Sequence, residues 1–579
     1  MKIVAGADAI MTAEGSTEAP KWPGVEVSPG SENRARANGF PGNLGGPVVS
    51  VGKDRLGGPE IKPRPRGSAL EPAGSKARAQ RRYRPRIPKL AGKDGRESEC
   101  PTVPTRQGNS PREDPVEGEG HRETGPLERK MQETLGSNSV STKLQQIAEL
   151  ARQNTQMVLT TLVHHIDIEW LREAWRRTRK DGAVGVDGQG AAEYVANLEG
   201  NLQSLLDRFK SGKYKAPPVR RVQIPKGDGS KTRPIGIPTL EDKVLQRAVA
   251  MVLEAVYEQE FLDCSFGFRP GRSAHQAVDA LGGSLMKMHG GWVLDLDIRS
   301  FFDSLDRQHL RSFLDQRVRD GVVRRTIDKW LKAGVLDAGT LLRPGAGTPQ
   351  GGVISPLLAN VFLHHVLDVW FEQEVKPRMR GQVTLVRYAD DAVLVAQRED
   401  DARRILAVLP KRFGRYGLEL HPDKTRLVFF VRPDRHTTGK GHHGGRPPGT
   451  FDFLGFTMLW GRTRRGSWVV KKRTARERKR RTIRRISAWC RRHRHEPLIE
   501  QHRSLSRQLQ GHYAYYGVTG NFAALSVVFD HAVRAWHYWL NRRAQRRDLS
   551  WPRFKRILAR LPLPRPRVVH SIYLSAANP

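Results

Sequence analysis

The chain has 579 residues, and its 99 Lys and Arg against 60 Asp and Glu give a formal net charge of +39. A hydrophobic share of 38% can support a core but is below the globular average, and no apolar run reaches the ~18 residues that would span a membrane. Charge on this scale favours a polyanionic partner, RNA or DNA first, and no membrane.

Cys100, Cys264 and Cys490 lie far apart in the sequence. They form no CxxC pair, which argues against a zinc module or a disulfide framework and fits a reducing compartment. The start, MKIVAGADAIM, lacks the apolar core of a secretory signal.

Residues 1–130 are rich in Gly, Pro, Arg, Ser and Glu. Their apolar content cannot offset chain entropy, so a disordered extension is expected. Its ARAQRRYRPRIPK stretch suits non-specific RNA binding, and a chemical role is not expected. Met131 opens more ordinary sequence and is a candidate start of translation. From Ser141 to about Lys213, Leu144, Ile147 and Leu150, then Leu198, Leu202 and Leu205, recur at helical spacing.

Tyr214–Pro238, YKAPPVRRVQIPKGDGSKTRPIGIP, reads as a β-hairpin with Lys226-Gly227-Asp228-Gly229 as its turn. Lys226, Lys231 and Arg233 on such a hairpin could hold a triphosphate; a solvated sheet edge is the plainer reading. Thr239 caps a helix predicted from Leu240 to about Phe261, with Asp242 in its first turn. The stretch SFGFRPGRSAHQAV, Ser265–Val278, sets Phe266, Phe268, Arg269 and Arg272 close together. That mixture suits stacking on bases and gripping a phosphate backbone, although two Phe also suit a core.

In GGWVLDLDIRSFFDSL, Gly290–Leu305, a strand from Trp292 to Ile298 puts Asp295 and Asp297 on one face, with Phe302 and Asp303 following. A buried face would not carry two carboxylates without a partner. GAGTPQGGVISPLLANVFLHHVLD, Gly345–Asp368, is a Gly-rich turn entering a helix whose face is Ile354, Leu357, Leu358 and Phe362. Gln350 and Gly351-Gly352 suit close approach to a nucleotide. VTLVRYADDAVLVA, Val383–Ala396, is two apolar strands around a short polar break, a hairpin with Asp390 and Asp391 at its tip. Adjacent carboxylates raise each other's pKa unless a cation stands by, and Mg²⁺ is the usual one.

Asp401 opens a helix with Ala402, Ile405, Leu409 and Phe413 on one face, and GLELHPDKTRLVFF returns as a strand with Lys424 near its start. These passes predict a mixed sheet with helices on one side. His436, His442 and His443 sit in a Gly-rich loop whose spacing argues against a metal site. FDFLGF, Phe451–Phe456, is a short strand. Beyond Arg462, KKRTARERKRRTIRRISAWCRRHRH begins a basic region with Ile483, Ile486 and Cys490 on one helix face. Helices follow at Leu505–Tyr516, Phe522–Asn541 and about Trp551–Leu561, so an all-α basic domain is expected. If ~6–10 of its cations meet phosphates, affinity should fall roughly 10³–10⁵-fold from 50 to 200 mM salt.

Asp297, Asp390 and Asp391 on neighbouring strands suit two Mg²⁺ ions and nucleotidyl transfer. Phe302 would then stand beside the sugar and leave no room for a 2′-hydroxyl.

YADD, DIRSFFD, TPQGG, RRVQIPKGDGSKTRPIGIP, SFGFRPGRSAHQAV, GLELHPDKT and FDFLGF together resemble the reverse transcriptases encoded by group II introns. LQGHYAYYGVTGN, Leu509–Asn521, is similar to that family's maturase (X) region. The resemblance covers roughly residues 140–570, in the family's motif order. It implies an α+β right-hand polymerase fold: fingers over residues 131–290, a palm with a mixed sheet over 291–460, and an all-α thumb/X domain over 461–579. It also implies RNA-directed DNA synthesis, assistance to splicing, and retrohoming.

On the matching residues the resemblance makes Asp297, Asp390 and Asp391 metal ligands, with the Ile298 carbonyl assisting. Lys226, Arg233, Phe302, Gln350 and Lys424 become nucleotide contacts. Arg269, Arg272, Lys471, Lys472, Arg473, Tyr515 and Tyr516 are expected to meet nucleic acid. Asp295 is not a family ligand. Implied partners are group II intron RNA, an RNA template/DNA primer duplex, dNTPs and a DNA target, with a homodimer left open. A cytoplasmic, nucleoid-associated bacterial ribonucleoprotein is expected over an organellar one. The Cys-pair endonuclease module of many relatives is not seen, so second-strand cleavage is not expected. The alternatives are a retron-like or defence reverse transcriptase, an RNA-dependent RNA polymerase, and a non-catalytic splicing factor on a polymerase scaffold.

Overall fold

In the computed structural model the described residues are 126–226, 231–337, 340–342, 351–433, 447–543 and 548–571, with side chains from residue 140 onward except those of 225, 226 and 231. The expected disordered extension lies outside them up to residue 125. From Pro126 the chain is already helical, in one helix Pro126–Gln153, so regular structure begins before the boundary at 131. The loop carrying His436, His442 and His443 also lies outside the described residues.

Strands β1 (Val219–Lys226) and β2 (Lys231–Ile237) form the predicted hairpin, with Lys226 opposite Lys231. The helix after it runs Leu240–Tyr257, shorter than expected, and the Thr239 side chain accepts from the Asp242 N–H. Its face is apolar almost all round, and it is buried at the centre of the largest core with Trp170, Phe209 and Phe362. Strand β3 (Trp292–Leu296) follows. Strands β4 (Val335–Asp337) and β5 (Thr340–Leu342) then return to the first hairpin, in the order β2-β1-β4-β5.

Strands β6 (Val383–Tyr388), β7 (Asp391–Ala396) and β8 (Arg426–Phe429) complete the sheet that carries the aspartates, in the order β6-β7-β3-β8. Every pair in it is antiparallel. Mixed pairing, expected in the palm, occurs instead in the other four-stranded sheet, where β1 and β4 run parallel.

Helices were also expected on one side only, whereas both faces of this sheet are covered. Leu294, Leu296, Leu385 and Leu394 enter the core of the N-terminal helices. Val293, Val386, Val393 and Val395 enter a second core, with the helix Ala274–Lys287 and the strands β9 (Phe451–Phe453) and β10 (Phe456–Arg462). Burial on both faces explains why the strands read as continuous apolar runs without polar alternation.

Strand β11 (Trp468–Thr474) pairs with β10. The helical domain expected from residue 461 therefore starts later, at the helix Arg476–Arg492. The KKRT stretch is strand because it pairs residue by residue with β10, and Trp468 and Val470 on one face pack against the second core. The helices Leu498–Tyr516, Phe522–Leu540 and Trp551–Arg560 follow. They bury Ile486, Cys490, Leu525, Trp536 and Leu540 together, the faces read from the sequence. All described residues belong to one unit, Glu117–Pro579, and none of its helices is long and apolar enough to cross a membrane.

One charge stands inside this apolar frame. Arg387, on β6, has a fully buried side chain paired at 2.5 Å with the equally buried Asp368. Its other N–H groups reach Asn360 Oδ1 (2.9 Å), Ser265 Oγ (2.7 Å) and the Ala389 carbonyl (3.0 Å). Removing one member of a buried pair leaves the other uncompensated, at about 3–5 kcal/mol. Asp368→Ala is therefore expected to lose that much stability in urea unfolding, and a loss below about 1 kcal/mol would contradict the pair's role.

Candidate active site

The tip of the β6–β7 hairpin is closed by the Tyr388–Asp391 pair, leaving Ala389 and Asp390 in the turn. Ala389 takes a φ of +57°, a conformation that L-residues other than Asn and Asp adopt rarely. Two contacts hold it there. Arg387 binds its carbonyl from within. Gly267 lies against its N–H so closely that a Cβ there would stand 2.3 Å away.

β3 lies beside β7, with Asp295 opposite Val393 and Leu296 opposite Ala392. Continued by one residue, that register brings Asp297 across from Asp391. The chain after β3 is fixed as well: Ile298 bridges to Leu420, and the Asp297 carbonyl accepts from the His421 N–H at 2.8 Å.

The carboxylates feel one another. Asp391 is open to solvent at the tip, but the protein around it withdraws water. That loss of hydration, with the Asp390, Asp297 and Asp295 charges, lifts its pKa to about 6 against a weaker opposing pull from Arg478. Asp295 is pushed up chiefly by burial, while Arg426 on β8, 3.0 Å away, holds it down. This pairing gives Asp295 a structural role. Asp297 is bound by Lys424 at 2.5 Å.

The sequence-predicted ligands Asp297, Asp390 and Asp391 are thus brought to one end of one sheet. Among the described residues no three side chains of ligand type gather closely enough to enclose a metal. The donors are nevertheless all oxygen, as Mg²⁺ requires, and the raised Asp391 pKa marks an excess of negative charge that a divalent cation would relieve. In kind and in charge the residues fit the ion.

Phe302 is half-buried in a short helix, Phe301–Ser304, edge-on to Phe301 at 5.3 Å. Arg233 is exposed on β2 opposite Ile224. Lys226 ends β1, but its side chain lies outside the described residues, as does all of Gln350. The turn after Gln350 is described. Gly351 has a φ of +118° and lies where a Cβ would meet the Gly236 carbonyl at 2.4 Å, which locks this turn onto β2.

Several expected nucleic-acid contacts are occupied within the protein. Arg269 is buried and bound to Glu258 at 3.0–3.2 Å and to the carbonyls of Leu262 and Ser265. Lys472 pairs with Asp279. Tyr515 donates to the Leu454 carbonyl at 2.8 Å and stacks on Phe456, which Tyr516 also touches. In this structure these four make contacts within the protein, and Tyr515 and Tyr516 pack against the second core. Arg272 is half-buried and pairs with the exposed Asp263 at 2.6 Å. Lys471 is half-buried along β11, and Arg473 is exposed.

Sequence reasoning missed Arg387, Gly267, Arg478 and Gln246. The Gln246 side-chain oxygen accepts from Val353 N–H at 2.8 Å, and its amide donates to Asp242 at 3.3 Å. Asp242 also accepts from Tyr214 and Trp330, and burial raises its pKa to about 6. For Arg387 a signal existed, a lone cation inside VTLVRYADD. Gly267 and Gln246 gave none, because Ala389 and Val353, which they meet, lie over 100 residues away.

Residues 224–458 match the family model described as reverse transcriptase (RNA-dependent DNA polymerase). Protein YkfC of Escherichia coli is 36% identical over 295 residues, which cover 45% of this chain and 76% of that protein. The group II intron-encoded protein LtrA of Lactococcus lactis is 32% identical over 306 residues, half of each chain. The chain belongs to the group II intron reverse transcriptases. Nuclear intron maturase 2 of Arabidopsis thaliana is also similar, at 27% identity over 234 residues, 34% of this chain and 30% of that one. Reverse transcriptases work with divalent metal ions, and intron RNA is a partner of this family.

The fit of Gly267 against the carboxylate turn is testable. Gly267→Ala should displace Ala389 and cost about 1–3 kcal/mol as overpacking, measured by thermal unfolding. Primer extension should fall by more than the loss of folded protein accounts for.

Proposed function

We propose that the chain copies intron RNA into DNA from a primer 3′-hydroxyl, using dNTPs, and assists its intron's splicing for retrohoming into a DNA target. The observation that carries the reading is the register of β3 against β7, with Asp297 and the Asp390–Asp391 tip at one sheet end, inside the matched reverse-transcriptase region. Residues up to about 290 act as fingers, β3 to β10 as the centre of the palm, and the helices from Arg476 as the thumb.

Asp297, Asp390, Asp391 and the Ile298 carbonyl would hold two Mg²⁺ ions. When bound, these supply a lowered pKa at the primer hydroxyl and stabilise charge in line at the phosphorus. The chain's own residues do the rest. Arg387 and Gly267 keep the carboxylate turn from relaxing, so no rearrangement is needed when substrate arrives. Arg233 and Lys226 on the hairpin offer cations for the triphosphate, and the Gly351 contact keeps the Gln350 turn beside that hairpin. Lys424 exchanges its Asp297 partner for a phosphate oxygen. Phe302 closes the space beside the sugar C2′.

Primer extension on poly(rA)/oligo(dT) with Mg²⁺, offering dTTP or UTP, tests the reading. Extension with dTTP alone is expected, and Asp391→Ala should lower it by more than about 100-fold, exceeding what loss of a supporting residue around a metal costs. Failure of folded, RNA-binding wild type to extend with either substrate would leave a splicing cofactor. Phe302→Ala should raise use of UTP relative to dTTP by at least about 10-fold. An unchanged ratio would remove Phe302 from the sugar gate.

A further inference from the structure

The chain from Cys264 to Gly267 runs parallel to β6 of the carboxylate hairpin, with Ser265 bridged to Arg387. Arg387 N–H donates to the Cys264 carbonyl at 2.7 Å, and Phe266 N–H donates to the Arg387 carbonyl at 2.8 Å. The Gly267 carbonyl accepts from Asn360 Nδ2 at 2.7 Å. On the far side, the Arg269 guanidinium is held by Glu258 and two carbonyls. The residue between these anchors is Phe268, and it has little freedom.

So held, Phe268 has a φ of +57°, which is an outlier for a bulky side chain. The residue is 56% exposed, unlike Phe266, which is buried in the second core. Neither the strained backbone nor the exposed ring helps the fold. Such residues persist where the surroundings over-determine them, and they collect at ligand sites. Phe268 has Tyr388 as a ring neighbour, with centroids 6.3 Å apart, and Tyr388 directly precedes the Ala389-Asp390-Asp391 turn. The apolar ring thus stands at the mouth of the carboxylate site.

We propose that Phe268 and Tyr388 form an aromatic shelf that receives the flat face of a nucleoside in the nucleic acid next to the catalytic carboxylates. The proposal rests on the reverse-transcriptase reading of that site. A nucleic acid is the occupant that answers both features present: its bases and sugars cover an apolar ring, and its phosphates answer a chain of net charge +39. The ring face suits a template or a primer nucleoside equally, and the experiment distinguishes them.

The measurement is affinity for a labelled RNA template/DNA primer without dNTP, beside thermal unfolding, for wild type, Phe268→Gly and Phe268→Tyr. Phe268→Gly should weaken binding about 5- to 100-fold, the range for loss of one stacked base. Its Tm should hold or rise, because glycine adopts this φ without strain. Phe268→Tyr should keep wild-type affinity. 5-Iodouracil placed in the template or at the primer terminus should crosslink to residue 268 from one strand, which assigns the nucleoside. Unchanged affinity in Phe268→Gly, or no crosslink from either strand, overturns the shelf. Wild type that crosslinks and binds yet never extends a primer overturns the catalytic reading and leaves the shelf standing.

Discussion

A guanidinium with no water around it must have its N–H groups answered from within the protein, and Arg387 meets that demand with four residues from three separate parts of the chain. Asp368 and Asn360 come from the helical run after Gly351, Ser265 from the loop before the helix Ala274–Lys287, and the Ala389 carbonyl from the catalytic turn itself. The pair is not there for cheap stability, since buried ion pairs often do no better than apolar residues of the same size. It fixes geometry: the orientation that satisfies Asp368 also fixes where Ala389 points, and hence where Asp390 and Asp391 begin.

The same kind of satisfaction governs the hairpin beside it. Gln246 sits on the helix Leu240–Tyr257 and caps the turn after Gly351, while Gly351 meets β2 through the Gly236 carbonyl. Hairpin, turn and buried helix are therefore one unit. Its polar interior, from Tyr214 and Trp330 through Asp242 to Gln246, is satisfied link by link, as a buried network must be to favour a unique arrangement.

Much of this was legible in the sequence because it is local. The apolar strands around YADD, the Thr239 cap and the faces of the last helices follow from periodicity and short-range chemistry. The carboxylates stood out for a different reason, since an Asp inside an apolar strand needs a partner, which for Asp295 is Arg426. What could not be read depends on distance. Gly267 against Ala389, or Gln246 under Val353, joins residues that only the folded chain brings together. The internal contacts of Arg269, Lys472, Tyr515 and Tyr516 were not legible for another reason: cationic and aromatic side chains serve RNA and protein interiors by the same contacts, and composition cannot separate the two. Strand β11 was not legible after residue 461 because the basic residues of KKRT hid Trp468 and Val470, which pack on the second core.

Tyr515 and Tyr516 sit at the end of the helix Leu498–Tyr516, yet their rings pack on Phe456 of β10. Asn521, just beyond, exchanges hydrogen bonds with Thr474 at the end of β11, at 2.9 and 2.8 Å. The stem of the helical domain is thus part of the wall of the sheet's second core. A fragment cut away before that domain would carry a bare aromatic surface on β10 and unanswered polar groups at Thr474. Shuffling or truncating the chain at this seam would mean breaking a core rather than a linker, so the two regions have to be inherited together.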